Sequence, residues 1–242
     1  MDRLGYTAMT AASRTMTALS VRANNLANAN TPGFRADLEQ ASAAPVPGYG
    51  YDSRHLARVQ DNGVSLAAGS LMATGRDLDF AIQGSGLIAV QGTQGEAYTR
   101  HGSLQVDSDM QLVAHGRPVL GEGGPITLPA HDRLHIGRDG TISVLPSGET
   151  QLVEAGRIKL VDVPAADLAK DPTGLLVLRA GGSAEQDEAV SLASGYLESS
   201  NVSSIDQLVA TLSLSRLFET QVKMMKAAEN LADAGNRMIR GS

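Results

Sequence analysis

Apolar residues recur every three and four positions at both ends of this chain, and the region between the two ends switches to a period of two. That arrangement constrains the fold more than any other feature. From Met9 the N-terminal segment reads Met9, Ala12, Met16, Leu19, Ala23 and Leu26, stepping alternately three and four. Such spacing marks a narrow heptad seam on an α-helix. Residues 3–29 hold no proline and one glycine, Gly5. Pro32 disfavours the α region for Thr31, and Gly33 permits a turn, so the helix is expected to stop near Asn28–Asn30.

The last 40 residues repeat the pattern. Leu214, Leu217, Gln221, Met224, Ala228, Leu231, Gly235 and Met238 form the seam, and Phe218, Val222, Met225, Ala232 and Ile239 widen it on one side. Ser203 and Asp206 stand at capping-box spacing before it, with Asp in place of the usual Glu. At 1.5 Å per residue each helix runs roughly 40–55 Å, longer than a small β domain covers. Packed on each other, the helices bury one face apiece. The surplus apolar width of the second then calls for another partner, which is a physical reason to expect self-assembly.

Between the helices, short runs such as Leu87–Val90, Ser103–Val106, Gln111–Val113, Ile126–Leu128, Leu134–Ile136, Thr141–Val144, Ile158–Val161 and Leu175–Leu178 are separated by Gly, Asp, Ser or Pro. They predict a compact antiparallel β domain. Asp139-Gly140 is its strongest hairpin signal, and 164–170 suits a helical turn or two. The fold class is therefore α+β, with two long terminal helices forming a coiled-coil-like bundle domain and a central antiparallel β domain. Residues 1–35 and 200–242 together make the helical assembly domain, 36–75 an extended connector rich in Pro and Gly at 41–51, and 76–199 the β domain.

Composition narrows the functional classes. The net charge of −6, without a basic cluster, argues against nucleic acid. No run of 18 apolar residues exists, so membrane insertion is not expected. Cysteine is absent, which excludes disulfides, thiolate zinc sites and cysteine nucleophiles. Aromatics make up only 3% of the chain, a poor lining for a ligand pocket. His131 and His135 have helical metal-ligand spacing, but Pro129 and the strand-like Leu134-His135-Ile136 would hold them roughly 13 Å apart. Gly84-Ser85-Gly86 lacks the following helix that a phosphate loop needs, and Asp107-Ser108-Asp109 lacks the later ligands of a calcium loop. No catalytic residue, metal or cofactor is assigned, and the chain is not read as an enzyme. It carries no Sec-type signal at its N-terminus.

Asn24-Asn25-Leu26-Ala27-Asn28-Ala29-Asn30-Thr31-Pro32-Gly33-Phe34-Arg35 closely resembles the segment that ends the N-terminal helix of flagellar rod and hook proteins. Leu78–Leu87, Tyr98–Ser103 and Gly116–Gly121 are similar to that family's β-domain segments. Glu198–Val202 and Arg216-Leu217-Phe218-Glu219 are similar to the entry and middle of its C-terminal helix. Ser203-Ser204 stands where an Asp is often seen. The length and the opening Tyr6-Thr7-Ala8-Met9 look most like the proximal rod members, with the distal rod protein as the alternative.

The resemblance implies a structural subunit of the basal-body rod in the periplasm, exported by the flagellar type III apparatus without signal cleavage. Its partners would be neighbouring proximal rod subunits, the distal rod protein and the export apparatus. The rod would transmit torque from motor to hook and line the export channel. The expected assembly interface is Met9, Ala12, Met16, Leu19, Ala23 and Leu26 against Leu214, Leu217, Met224, Ala228, Leu231 and Met238, within and between subunits. Asn25, Asn28, Thr31, Pro32, Gly33 and Phe34 form the helix-exit motif. Asn25 and Asn28 are expected to satisfy backbone groups, and Phe34 to anchor the connector.

Overall fold

The computed structural model describes the backbone of residues 2–45 and 55–240, and the side chains of 5–39, 63–238 and 240. Two terminal helices, α1 (Asp2–Ala27) and α2 (Ser204–Arg240), flank a long series of antiparallel strands, so the chain is α+β. It folds as two compact units. One holds residues 1–27, 37–62 and 203–242, and the other holds 28–36 and 63–202.

In the first unit the helices pack antiparallel. Thr15 Oγ1 donates to Gln221 Oε1 at 3.0 Å and Arg22 Nη1 to Gln207 Oε1 at 3.4 Å, so positions rising along α1 meet positions falling along α2. α2 starts as its sequence suggests: Ser203 Oγ accepts from the Asp206 N–H at 3.3 Å, occupying one of the otherwise unpaired donors of the first turn. A two-stranded ladder, β1 (Asp37–Pro45) and β2 (His55–Val64), belongs largely to this unit. It replaces the extended connector expected over 36–75. Pairing lets the two segments satisfy each other's backbone groups, which a lone extended segment leaves to water. The Pro- and Gly-rich positions 46–51 lie outside the described residues.

The second unit is built on a five-stranded antiparallel sheet that includes the strand Leu87–Gln91 and its hairpin partner Glu96–Thr99. Successive side chains of a strand point to opposite faces. Here both faces are covered: Ile88 and Val90 enter one core with Phe80, Leu104, Leu112 and Ile142, while Leu87 and Ala89 enter another with Tyr98, Val161 and Leu168. That is why the run Leu87–Val90 is continuously apolar instead of alternating. The Asp139-Gly140 signal lies in the turn joining the strands His131–Ile136 and Thr141–Pro146, with Gly140 at φ 83°. Residues 164–170 divide into a 3₁₀ turn, Ala165–Asp167, and a strand, Leu168–Lys170. Ile126–Leu128 forms an isolated bridge, Gln111 to Thr127, with backbone hydrogen bonds to Val119, Leu112 and Met110, instead of a full strand.

The β core tests directly. Leu112 is fully buried, so Leu112→Ala should cost about 2–5 kcal/mol. Urea denaturation should show a lower midpoint with an unchanged slope.

Candidate assembly surfaces

The inner contact of the helix pair is offset from the expected seam. On α1, Ala8, Ala12 and Thr15 are buried, and Leu19, Arg22 and Leu26 are half-buried in the same row. The row keeps heptad spacing and shares Ala12, Leu19 and Leu26 with the expected seam. Met9, Met16 and Ala23 lie one position aside and face outward, the two methionines at 54% and 53% exposure. On α2 the buried positions Gln207, Gln221 and Ala228 alternate with half-buried Thr211, Leu214, Phe218, Met225, Ala232 and Gly235. Leu214, Gln221, Ala228 and Gly235 of the expected seam lie in this row. Leu217, Met224, Leu231 and Met238 lie outside it, at 48, 46, 58 and 74% exposure.

The cause is chemical. The inner row holds polar side chains, Thr15 with Gln221 and Arg22 with Gln207, and a count of apolar residues passes over Thr15, Arg22 and Gln207. A buried polar pair within a helical seam must be matched in register, and it excludes neighbouring registers. A further buried row on α1, Ala18, Val21 and Asn25, lies on the side toward β1. There Asn25 brackets one residue of β1, its Nδ2 donating to the Asp37 carbonyl at 2.9 Å and its Oδ1 accepting from the Asp37 N–H at 2.8 Å.

The rest of the helix-exit motif belongs to the second unit. The Thr31 N–H donates to the Asn28 carbonyl at 3.1 Å and its hydroxyl bonds to Asn28 Oδ1 at 3.2 Å, closing the turn after α1. Gly33 takes φ 71°, and a Cβ there would stand 2.4 Å from the Arg100 carbonyl. Glycine is needed for both reasons. The Pro32 carbonyl faces His101 Nδ1 at 2.9 Å, and the Lys170 ammonium sits 3.9 Å from the centre of the Phe34 ring.

A buried ionic node lies beside this turn, and sequence reasoning gave it no role. Glu198 Oε2 accepts from Arg100 Nε at 2.7 Å, and its Oε1 accepts from Arg35 Nη2 at 2.5 Å and from the Gly69 N–H at 2.7 Å. Both arginines and the glutamate are almost wholly buried. Arg100 also donates to the carbonyls of Ile82, Gly84 and Gly86, which explains the Gly-Ser-Gly turn as an acceptor cup for a guanidinium. Arg35 is less well served: its Nε and Nη1 are buried with no partner among the described residues. Burial pulls its pKa below the ordinary value, against the opposing pull of Glu198. Nearby, Asn201 joins three chain segments, accepting from the Ala36 N–H and donating to the Ser65 and Ala67 carbonyls. The signal that could have revealed the node is the set of short family-like segments, four of which, 24–35, 78–87, 98–103 and 198–202, contribute to it.

The remaining chemical motifs stay apart. His131 and His135 both lie on the strand His131–Ile136, and no group of three His, Asp or Glu gathers among the described residues. Asp107 Oδ1 accepts from the N–H groups of Asp109 and Gln111, closing a turn on itself.

Comparison with known proteins places this geometry. The family models described as flagella basal body rod protein, flagellar hook protein FlgE/F/G D1 domain and flagellar basal body rod FlgEFG protein C-terminal match residues 6–35, 81–144 and 193–238. The flagellar basal-body rod protein FlgF of Salmonella typhimurium is 39% identical over 248 aligned residues, covering 99% of both chains. The chain belongs to the flagellar basal-body rod protein family. FlgF of Escherichia coli K12 is 38% identical with the same coverage, whereas a FlgG from Buchnera aphidicola is 31% identical over 88% of this chain. The likeness is thus greater to these FlgF relatives, and the chain is a structural rod protein. In this member of the rod family, the first matched segment ends at Arg35 and the last one contains Glu198, so the buried node joins the two terminal matches.

Glu198→Ala leaves two buried guanidinium groups without their carboxylate, and should cost about 3–5 kcal/mol in chemical denaturation. Arg35→Met should cost clearly less than Arg100→Met, because Arg35 already has two unpaired nitrogens. His101 supplies a pH signature. Burial, the largest cause, lowers its pKa below 6.5, so the neutral ring is favoured in the folded chain. That contribution is complete above about pH 6.5 and is lost as pH falls through the depressed folded value. The difference in unfolding free energy between the parent and His101→Gln should therefore narrow below pH 6.5.

Proposed function

We propose that this rod protein polymerises through its terminal helices in the periplasmic part of the basal body. There it carries torque from motor to hook and contributes to the wall of the export channel. Residues 1–35 and 200–242 act together as the assembly domain, 76–199 as the β domain, and 36–75 between them. The observation that carries this reading is the outward apolar row of each helix, Met9 and Met16 on α1, and Leu217, Met224, Leu231 and Met238 on α2, all near half exposed or more. Exposed apolar area costs about 25 cal/mol per Å² relative to burial. Rows of this length, rimmed by polar residues, mark protein contacts.

The partners are neighbouring proximal rod subunits and the distal rod protein FlgG, and delivery is by the flagellar type III apparatus without a cleaved signal. The proximal position rests on the greater identity and coverage of the FlgF relatives. The distal position is the alternative, and complementation separates the two. The gene should restore swimming to cells lacking FlgF and leave cells lacking FlgG non-motile.

Leu231→Asp tests the interface. Leu231 is 58% exposed in the single chain, so the variant should fold and be secreted, yet be missing from basal bodies. Normal swimming by such cells would contradict the reading. Leu26→Asp, at a half-buried position of the inner row, should lose motility and also unfold at lower denaturant.

A further inference from the structure

The chain passes between its two units at 27/28, 36/37, 62/63 and 202/203. Inside the second unit, the segments that make those passages are bonded to one another. Asn201 reaches two of them with its side chain: Oδ1 accepts from the Ala36 N–H at 2.8 Å, and Nδ2 donates to the Ser65 and Ala67 carbonyls at 2.9 and 3.0 Å. Its own N–H donates to the Phe34 carbonyl at 3.3 Å. Glu198 repeats the arrangement. Its carbonyl accepts from the Gly33 N–H at 2.7 Å, and its Oε1 accepts from both Arg35 and the Gly69 N–H. The Ser65 N–H donates to the Ala36 carbonyl at 2.9 Å and so closes a triangle of 33–36, 65–69 and 198–201.

Two features set this junction apart from the rest of the unit. It is held by polar bonds: apart from Val64 and Leu66, no residue of 28–36, 63–70 or 198–202 belongs to either apolar core. Its two guanidinium groups are also unequally served. Arg100 bonds to three carbonyls besides Glu198, whereas Arg35 bonds through Nη2 to Glu198 and leaves Nε and Nη1 buried without a partner among the described residues. Withdrawal of Glu198 therefore leaves Arg100 seated. It leaves the Arg35 side chain with no acceptor among the described residues, and a buried guanidinium in that state moves to water. Lys170 and His101 reach the Arg35 and Pro32 carbonyls at 2.6 and 2.9 Å, but both are only half-buried, so water can take their places.

We infer that these three segments form one polar latch, which opens and closes as a unit while the β cores stay shut. Segments that share buried hydrogen bonds but little apolar area open together, and at lower free energy than a core. Arg100 is the fixed side of the latch, and Arg35, Glu198 and Asn201 are the moving side. Residues 28–36 follow α1 and 198–202 precede α2, so one closure sets both where the chain leaves the first helix and where it enters the second. The use of such a device rests on the assembly reading above: ends that are released together can be adjusted together as the chain joins its neighbours.

The latch itself is tested on the purified full chain by amide hydrogen exchange, with mass spectrometry on overlapping peptides. Asn201→Ala removes the acceptor of the Ala36 N–H and leaves those of Gly33 and Gly69 in place. Exchange should nevertheless rise about tenfold or more across 33–36, 65–69 and 198–201, with 87–91 unchanged. Faster exchange confined to 33–36 would show that the segments are held separately, and overturns the inference. An equal rise in 87–91 overturns it too, because the junction would then open only with the cores. A second variant pushes the other way. Ser70 and Ser199 place their Oγ atoms 2.9 Å apart in a chain without cysteine, so Ser70→Cys combined with Ser199→Cys can be bridged by oxidation. The bridge should slow exchange across 33–36, a segment it does not join, and unchanged rates there contradict the latch. Absence of the unsubstituted chain from basal bodies would overturn the assembly reading and the use given to the latch, while the exchange rates decide the latch by themselves.

Discussion

A buried hydrogen bond, Thr15 to Gln221, fixes the register in which the two terminal helices meet. Apolar side chains stand on both sides of that choice: Leu19, Leu26, Leu214, Phe218 and Met225 lie in the inner contact, while Met9, Met16, Leu217, Met224, Leu231 and Met238 stay exposed. Sliding the helices along this contact would bury the Thr15 hydroxyl or the Gln221 amide without its partner, at about 1–3 kcal/mol, so the polar pair holds the register. Its consequence lies on the outside of the molecule. An apolar row on each helix, Met9 and Met16 on α1 and Leu217, Met224, Leu231 and Met238 on α2, is left for other contacts.

The two ends and the middle of the chain were legible to different degrees. Both helices, their heptad spacing, the Ser203 start and the Asp139-Gly140 turn follow from local rules of periodicity, capping and turn chemistry. The α+β class follows from them. The inner row did not, because a heptad step of three and four fits two parallel rows one position apart, and only the polar partners choose between them. Ala12, Leu19 and Leu26 belong to both readings, which is why half of the expected α1 seam falls in the contact. The β1–β2 ladder was hidden because ladder pairing between distant segments leaves little trace in either one. Glu96–Thr99 was hidden because its pairing with Leu87–Gln91 buries Ala97 and Tyr98, a pattern with no strong alternation.

The buried node around Glu198 shows the limit of motif reading from the other side. The segments at 24–35, 78–87, 98–103 and 198–202 stand far apart in the chain and were recognisable one by one. Their meeting gives each a physical reason: a guanidinium from the first, an acceptor cup from the second, another guanidinium from the third and the shared carboxylate from the fourth. A buried ion pair adds little to stability relative to an apolar cluster, but it tolerates very few geometries. Gly33, packed against the Arg100 backbone with its N–H donated to the Glu198 carbonyl, holds the incoming and outgoing segments to that geometry.

The most direct measurement is methionine oxidation by dilute peroxide, followed by mass spectrometry, on the purified chain and on isolated basal bodies. Met9, Met16, Met224 and Met238 are exposed in the single chain, and Met72 of the β unit, 47% exposed, serves as the internal reference. All five should oxidise readily in solution. In basal bodies the four helix methionines should be protected relative to Met72. Equal oxidation of the four in both states would contradict assembly through the helices, because surfaces that remain open in the assembled rod are not the surfaces that assemble it.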